Sequence, residues 1–437
     1  MSTPIIHVSL WGRTVGYLGY GVNDTIATFE FGPEFASMAL ELSPIVMKSN
    51  KLLHKFDTIS FRTFHGLPGI FADSLPDKFG NQLIDLFFAD KGKLPNDITA
   101  LDRLAYIGKR SMGAFEYTPE QNPGIAMGGG ALDIGHLCEL ANMVLSNKQQ
   151  FANELANASS HNDALSIIQI GSSAGGARSK ALVARDNMGS FYDGSVDSGS
   201  DKTYWLLKFD TNENSDRDRK DPKGMTKIEY IYSLIAKKCG ITLPKTDYLM
   251  NGDDFLFMIE RFDREIRDGK LRKKHYSSWA ALQHFDRDTT GAYSYEQLIL
   301  TMRELNLGHN EFVELYRRAV FNIIGRNQDD HAKNFGFQMD RNGAWSLSPA
   351  FDMTFSYDPL GKWTNTHQIS LSGKRDQFER NDLLAFASKC SIPAKHANEI
   401  IEQSLEAFNS FTRLAIEHEV PNDLYKQVFA SLRIKSL

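Results

Sequence analysis

The apolar residues follow two different periods in the two halves of this chain, and this change constrains the fold strongly. In the first half, stretches such as IIHVSLWGRTVGYLGY alternate around a glycine, which indicates two short strands joined by a turn. In the second half, apolar residues recur at intervals of three and four, at Phe312, Leu315, Tyr316, Ala319 and Ile323. Such a stripe indicates an amphipathic helix. A mixed α/β half before a mostly helical half predicts two lobes with a ligand cleft between them.

Length and charge narrow the class of protein. The chain has 437 residues with 42% apolar side chains, enough for a large bilobed unit. Its formal charge of −5 argues against electrostatic binding of the protein as a whole to DNA or a membrane. Three scattered cysteines give neither a disulfide framework nor a metal-ligand spacing. Since no signal peptide or apolar run of about 20 residues is present, we expect a cytoplasmic protein with no membrane partner.

The segment NQDDHAKNFGFQMDRNGAWSLSPAFD contains the most informative group of candidate catalytic and metal-binding residues. It contains Asp329, then Asn334 five positions later, and finally Asp352. Two strand-like pieces, FGFQM and AWSLS, separate Asn334 from Asp352 and are joined by the turn-rich DRNG. A hairpin of this kind would fold back and bring Asp352 close to Asn334.

Phosphoryl transfer from ATP requires this kind of set. One carboxylate orients or deprotonates the acceptor hydroxyl, while an amide oxygen and a second carboxylate hold Mg²⁺. We therefore predict Asp329 as the base or orienting residue, and Asn334 and Asp352 as Mg²⁺ ligands. Two other interpretations stay open: these are ordinary turn residues, or His331 with Asp329 and Asp330 marks a metal-dependent hydrolase.

Upstream parts follow in the order that a kinase needs. TYWLLKFD reads as a buried strand carrying Lys208, and KIEYIYSLIAKKCGI reads as a helix whose first turn carries Glu229. This glutamate would pin the lysine against the phosphates of ATP. Alternatively, Lys208 is a strand-end lysine that reaches solvent, and Glu229 is a favourable charge at a helix N-terminus.

Two further segments complete the series. IGSSAGGARSKALVARD places a glycine-rich loop, with Ser172 and Ser173, before a strand, and such loops cradle phosphates through backbone N–H groups. It is neither a Walker A motif nor G-x-G-x-x-G, so an ordinary glycine turn is the competing interpretation. DDFLFMIERFDR is an apolar strand placed where the connector between kinase lobes would meet adenine, with a simple core strand as the competing interpretation.

These segments together resemble the HipA family of bacterial toxin kinases. The resemblance spans nearly the whole chain and includes QDDHAKNFGF, LSPAFDM, SAGGARSKA, MIERFDR, GLPGIFADSLPD and LAYIGKRSMGAFEY. It implies an α+β, bilobed protein-kinase-like fold. The implied units are an accessory region at 1–120, an ATP-binding part at 121–263 and a helical catalytic lobe at 264–437.

The resemblance also implies roles for individual residues. Asp329 is the expected catalytic residue, and Asn334 and Asp352 are the expected Mg²⁺ ligands. The expected ATP contacts are Gly175, Gly176, Ala177, Arg178, Lys180, Lys208, Glu229, Glu260, Phe262, Asp263, His331 and Lys333. Among them, Glu260 and Phe262 would meet adenine through the backbone, and Asp263 would approach the ribose.

Family members silence themselves by phosphorylating a serine of the glycine loop. The S-x-x-G-A pattern places that serine at Ser173, with Ser172 as second choice. A phosphate there adds nearly two negative charges that would repel the phosphates of ATP.

The resemblance further implies a serine/threonine protein kinase that is the toxin of a type II toxin–antitoxin system. Its expected partners are a small, HipB-like helix-turn-helix antitoxin dimer, operator DNA bound through that antitoxin, and a protein substrate, with a tRNA synthetase as candidate. The chain lacks His-Arg-Asp and Asp-Phe-Gly motifs, so regulation through them is not expected. Two alternatives are a small-molecule kinase and an inactive, kinase-like co-repressor.

Overall fold

A computed structural model describes residues 5–38, 40–121, 131–157, 161–172, 178–210 and 221–437. The predicted glycine-rich linker at 122–130, most of the glycine loop at 173–177, and the polar stretch 211–220 lie outside the described residues. Three hydrophobic cores organise the described part, and they follow one another along the chain.

The first core belongs to an antiparallel sheet near the N-terminus. Its strands are β1 (Ile6–Leu10), β2 (Arg13–Tyr20), β3 (Ala27–Phe31), β4 (Leu53–Lys55) and β5 (Phe115–Thr118), in the order β4-β3-β2-β1-β5. The predicted strand–turn–strand is present, since β1 and β2 pair around Gly12, whose φ of +78° suits a residue without a side chain. The helices of this part are α1 (Pro33–Ala36), α2 (Phe61–Phe64), α3 (Gly69–Ala72), α4 (Lys78–Asp90) and α5 (Ala100–Ile107), with a 3₁₀ turn at Pro95–Asp97.

The second core lies under a five-stranded antiparallel sheet. Its strands are β6 (Lys180–Arg185), β7 (Phe191–Asp193), β8 (Thr203–Lys208), β9 (Thr246–Asn251) and β10 (Asp254–Glu260), in the order β7-β6-β8-β10-β9. Apolar residues of α4 share this core with α6 (Ile134–Ser146), α7 (Lys148–Ala156) and α8 (His161–Gly171). Most side chains of the three central strands are buried, and the interior positions of these strands are predominantly apolar.

The third core is mainly helical, as the residue spacing predicts. It contains α9 (Met225–Lys238), α10 (Trp279–Gln283), α11 (Tyr295–Glu304), α12 (His309–Ile324), α13 (Arg380–Lys389), α14 (Ala394–Asn409), α15 (Phe411–Glu417) and α16 (Asn422–Ser431). The predicted buried face of α9, Ile228, Ile231 and Ile235, packs into this core. The remaining strands are a hairpin, β11 (Arg264–Arg267) and β12 (Lys270–Lys273), and a small sheet of β13 (His275–Ser278), β14 (Gly336–Met339) and β15 (Trp345–Leu347).

Three features of this architecture position the candidate site. β6 and β8 pair so that Lys180 lies directly opposite Lys208. The segment after α12 runs through a 3₁₀ turn at Ala332–Asn334 into β14. β14 and β15 then form the predicted hairpin, which returns the chain to Asp352.

Two further features of the described residues concern the cysteines and the length of the apolar helices. All three cysteines are free and buried. Within the described ranges, the structure contains no helix long and apolar enough to cross a membrane. The domain boundaries near 120 and 263 stay predictions.

Candidate active site

A cavity of about 390 Å³ lies between the second sheet and the helical part of the chain. Most of the predicted site residues line it together: Arg178, Lys180, Lys208, Glu229, Glu260, Phe262, Asp329, His331, Lys333, Asn334 and Asp352. Side chains from the two halves therefore meet at one open cavity, as a two-lobed fold predicts.

Lys208 is held between two carboxylates at this cavity. Its Nζ donates a hydrogen bond to Glu229 Oε1 at 2.6 Å and another to Asp352 Oδ1. Burial alone would lower the pKa of Lys208, but the carboxylates of Asp352 and Glu229 outweigh burial and raise it above its usual range. The contact between strand lysine and helix glutamate that the sequence predicts is present.

Asp352 is the second carboxylate bonded to Lys208. Burial acts to raise the pKa of its carboxyl, but Lys208 and then Lys180 lower it to about 2. The residue has a φ of +51°, in the left-handed region that side chains seldom adopt. Strain of this kind is often found at functional sites, where the surrounding structure holds the residue in place.

Lys180 and Arg178 add positive charge beside Lys208. Burial, followed by repulsion from Lys208, lowers the pKa of Lys180 to about 8. Arg178 Nε donates to Asp221 Oδ2 at 3.0 Å, and its Nη1 lies 3.9 Å from Glu229 Oε2. Burial would lower the pKa of Arg178, but the carboxylates of Asp221 and Glu229 raise it. Three cations thus lie on one wall, where the phosphates of a nucleotide would need them.

The opposite wall presents Asp329. Its backbone N–H donates to Ser356 Oγ at 2.9 Å, and its backbone carbonyl accepts from Asn334 Nδ2 at 2.6 Å. The Asp329 side chain is 45% exposed, with His331 Nε2 3.8 Å from its Oδ1. Since the Asn334 amide nitrogen is already bonded, its oxygen is the atom left to bind a metal ion.

The donor set fits Mg²⁺ with ATP. Asn334 and Asp352 supply an amide oxygen and a carboxylate, the hard ligands that Mg²⁺ prefers, and the ion ordinarily keeps several waters. No group of three or more His, Cys, Asp and Glu side chains within the described ranges is arranged to hold a metal ion. In that same part of the chain, the buried polar atoms of lining residues that have no hydrogen-bond partner include Arg178 Nη2, Glu229 Oε2, His331 Nδ1 and Thr354 Oγ1. Unpaired buried groups at a cavity wall suit a polar ligand.

Asp263 departs from the prediction that it approaches a ribose. Its side chain is fully buried and does not line the cavity. It accepts hydrogen bonds from Arg261 Nε at 3.0 Å, from Arg264 Nη1 at 2.7 Å and from the Gly113 backbone at 2.7 Å. The physical reason is local: the two flanking arginines turn this acidic group inward and tie the connector to the first sheet region.

The apolar part of the cavity is built from aromatic rings that the sequence interpretation missed in part. The Phe262 ring lies 5.8 Å from that of Phe351 and 5.7 Å from that of Tyr276, measured between centroids. All three line the cavity. Phe351 could have been singled out because it directly precedes Asp352, whereas nothing local marks Tyr276. The Glu260 backbone N–H is bonded to the Lys245 carbonyl at 2.8 Å, so it is not free for adenine.

The two serines of the glycine loop differ in what the structure describes. Ser172 is fully buried just after α8, and its Oγ donates to the Gln169 carbonyl at 3.2 Å. Phosphorylation of Ser172 would require this turn to open. Ser173 lies outside the described residues, as do the predicted ATP contacts Gly175, Gly176 and Ala177.

The two-part fold and its cleft define a bilobed, kinase-like protein of mixed α and β structure. The chain belongs to the HipA family: the model of the HipA-like C-terminal domain matches residues 172–411, and that of the HipA N-terminal domain matches residues 6–118.

Individual relatives agree with this family at the level of fold. The structure resembles the HipA chain from a complex of the Shewanella oneidensis MR-1 toxin–antitoxin system HipA, HipB and its operator DNA. That likeness has a TM-score of 0.65 and 14% identity over 97% of this chain and 96% of that one. The likeness covers both lobes, so the fold of the whole chain is similar to that of the solved chain.

Two other comparisons are narrower. A Haemophilus influenzae protein named as a candidate kinase is 25% identical over 155 residues, which cover 33% of this chain and 44% of the relative. The chain thus spans less than half the length of this curated relative. The Helicobacter pylori proinflammatory kinase CtkA aligns over 54% of this chain and 87% of its own, with 12% identity and a TM-score of 0.33, too low to support an argument.

Proposed function

We propose that this protein is an ATP- and Mg²⁺-dependent serine/threonine protein kinase that transfers the γ-phosphate of ATP to a protein hydroxyl. One observation carries the proposal. A buried lysine, Lys208, is pinned by Glu229 and Asp352 at the wall of a cavity that Asp329 and Asn334 enter from the other lobe. Kinases need this combination, because their catalysis consists mainly of positioning and electrostatic stabilisation.

The roles of the side chains follow from their charge and exposure. Lys208, Lys180 and Arg178 would neutralise the phosphates, and Asn334 with Asp352 would hold Mg²⁺, which supplies further neutralisation of the transferring group when bound. Asp329 is exposed enough to receive an acceptor hydroxyl, which it would orient and deprotonate. Phe262, Phe351 and Tyr276 form an apolar wall for the adenine ring.

The biological setting is proposed from the family. We infer that the chain is the toxin of a type II toxin–antitoxin system, with a HipB-like helix-turn-helix antitoxin that carries it to operator DNA. Membership of the HipA family and the likeness to a chain solved with HipB and operator DNA support this inference. We further infer a cytoplasmic location and a substrate among translation proteins, with a tRNA synthetase as the first candidate. Autophosphorylation at Ser173, or at Ser172, would silence the enzyme.

Transfer of label from ATP tests the proposed activity. The purified protein is incubated with Mg²⁺ and γ-labelled ATP, alone and with a cell extract, beside Asp329→Ala. We expect labelled protein with the wild type, phosphopeptides at Ser173 or Ser172, and a loss of about 10²–10⁴-fold in rate with the variant. Label found only in small molecules would support the small-molecule kinase. Failure of unphosphorylated protein to bind Mg²⁺-ATP in calorimetry would support the inactive co-repressor.

A further inference from the structure

Behind Asp329 lies a buried polar network that the proposed catalysis does not use. We propose that Arg433, His367 and Asp330 form a positioning relay that fixes the Asp329 loop in its productive geometry. The inference rests on the proposed function, because it concerns the residue assigned as base. None of the three touches the reacting atoms, so they are positioning residues.

Two consecutive aspartates face opposite ways at this point of the chain. The side chain of Asp329 is 45% exposed in the cavity, whereas that of Asp330 is fully buried. A buried carboxylate is costly unless several donors satisfy it. The orientation of Asp330 therefore fixes the direction in which its neighbour Asp329 points.

Three donors converge on the Asp330 carboxylate. Tyr295 Oη donates to Oδ2 at 3.0 Å, His367 Nδ1 donates to Oδ2 at 2.8 Å, and the Gln368 backbone N–H donates to Oδ1 at 2.8 Å. Hydrogen bonds to a charged acceptor are stronger than those between neutral groups. Removal of one donor would leave part of a buried charge without a partner.

Arg433 determines which nitrogen of His367 carries the proton. Its Nη1 donates to His367 Nε2 at 3.1 Å, and the same atom donates to the Ile323 carbonyl at 2.7 Å. A guanidinium can only donate, so Nε2 must accept and the ring proton must reside on Nδ1. The Arg433 backbone N–H also bonds the Ile324 carbonyl at 3.0 Å. Arg433 therefore satisfies the carbonyl end of α12, from which the Asp329 loop departs.

The other branch of the network returns to Asp329 itself. Tyr295 Oη accepts from Asn322 Nδ2 at 3.0 Å, and Asn322 Oδ1 accepts from Asn327 Nδ2 at 2.9 Å. Asn327 Oδ1 then accepts from Ser356 Oγ at 3.2 Å, and Ser356 Oγ accepts from the Asp329 backbone N–H. One connected set of bonds thus holds positions 327, 329 and 330 of the loop.

Such a network allows the base to be exposed and still well placed. Buried hydrogen bonds polarise and strengthen one another, and they leave few alternative arrangements. Misplacement of a catalytic group by about 1 Å costs on the order of 100-fold in rate. Loss of the relay should therefore lower turnover, with only a small effect on ATP binding, because the proposed phosphate contacts Lys208, Lys180 and Arg178 lie on the other wall.

Variants of the relay test this prediction. Arg433→Gln and His367→Phe are expected to lower kcat by about 10–100-fold, with the Kd for Mg²⁺-ATP within about twofold of the wild-type value. His367→Asn keeps an N–H near the position of Nδ1. Its kcat should therefore be at least about threefold higher than that of His367→Phe. The double variant Arg433→Gln/His367→Phe should have a kcat no lower than that of the slower single variant, because both changes act through one network.

Arg380 provides a control in the same lobe. The Arg433 side chain makes three contacts, because it also forms an ion pair with Asp376. The Arg380 side chain likewise makes three, with Asn398 Oδ1 at 2.9 Å, Glu402 Oε1 at 2.6 Å and the Leu437 carbonyl at 3.3 Å. None of its partners belongs to the relay. Arg380→Gln should leave kcat within about twofold of wild type. Because the Arg380 side chain is 33% exposed and that of Arg433 only 5%, chemical denaturation of both variants is needed to separate a general loss of stability from a loss of positioning.

Hydrogen exchange supplies a readout that does not require kinase activity. The amides of Asp329 and Gln368, which are bonded within the network, should exchange at least about tenfold faster in Arg433→Gln and not in Arg380→Gln. Unchanged exchange, or a kcat in the relay variants no lower than in the Arg380 control, would overturn the relay. A wild type that transfers no phosphate would contradict the proposed function instead, and the exchange result would still decide the relay.

Discussion

The two walls of the cavity handle charge in opposite ways. On one wall, the side chains of Lys208 and Glu229 are only 6% and 3% exposed and bond each other directly. On the other wall, the Asp329 side chain is 45% exposed and is placed through its backbone and its neighbours. A cation that binds phosphates stabilises them more strongly when its partner is already in place and water is excluded. The proposed base must stay accessible to the incoming hydroxyl. Residues on its buried side therefore have to hold it in place.

Asp263 extends this comparison to a third kind of acidic group, one that is fully paired and outside the cavity. Asp263→Asn should lower the free energy of unfolding by about 3–5 kcal/mol, because it leaves the buried guanidinium groups of Arg261 and Arg264 without their carboxylate. Chemical denaturation measures this loss. Below the melting transition, the Kd for ATP should remain within about twofold of wild type. Intact stability with weakened ATP binding would restore the ribose role that the sequence predicted.

The same carboxyl group has a defined pH dependence. Burial would raise the pKa of Asp263, but Arg261 and Arg264 hold it below the usual value of 3.8. Its stabilising contribution is therefore present above about pH 4 and is lost as the pH falls further. In Asp263→Asn this part of the acid-induced loss of stability should be absent.

Removal of the Lys208 ammonium tests the phosphate wall, the wall of the cavity that carries Lys208, Lys180 and Arg178. Lys208→Met should lower the free energy of unfolding by about 3 kcal/mol, because the buried Glu229 carboxylate keeps only Arg178, at 3.9 Å, whereas the partly exposed Asp352 can rehydrate. It should also weaken Mg²⁺-ATP binding by about 10–100-fold, the value of a charge-assisted hydrogen bond.

The ion pair of Lys55 and Asp24 provides the control for Lys208. It spans 2.8 Å, but its side chains are 38% and 36% exposed. Lys55→Met should therefore cost at most about 1 kcal/mol and leave ATP binding unchanged. Equal losses in the two variants would mean that burial does not distinguish the two pairs.

The contact between Lys208 and Glu229 was easier to predict from the sequence than the surroundings of Asp329. Lys208 and Glu229 lie on a strand and a helix whose periods are easily recognised, and their contact is present in the structure. Asp263 was placed wrongly because a run of alternating charges does not reveal whether an acid faces a ligand or its flanking arginines. His367 and Arg433 escaped notice because their partners are distant in sequence, so no local pattern marks them.

A smaller effect concerns Lys180. Its pKa of about 8 means that the free protein loses this positive charge between pH 7 and pH 9. Since the phosphates of ATP favour the charged form, ATP affinity should fall by about tenfold over that range and binding at pH 9 should take up a proton. Calorimetry in two buffers of different ionisation enthalpy measures both quantities. Lys180→Arg stays charged and should show neither effect, whereas the same pH dependence in that variant would assign it to another group.

The difference between the walls is tested most directly by measuring ATP affinity and single-turnover phosphoryl transfer side by side in Asp329→Asn and Lys208→Met. The account predicts that Asp329→Asn binds Mg²⁺-ATP as wild type does but transfers phosphate about 10²–10⁴-fold more slowly, while Lys208→Met is impaired in both measurements. Transfer at the wild-type rate by Asp329→Asn would contradict the assignment of the base. Unaltered ATP binding by Lys208→Met would contradict the assignment of the phosphate wall.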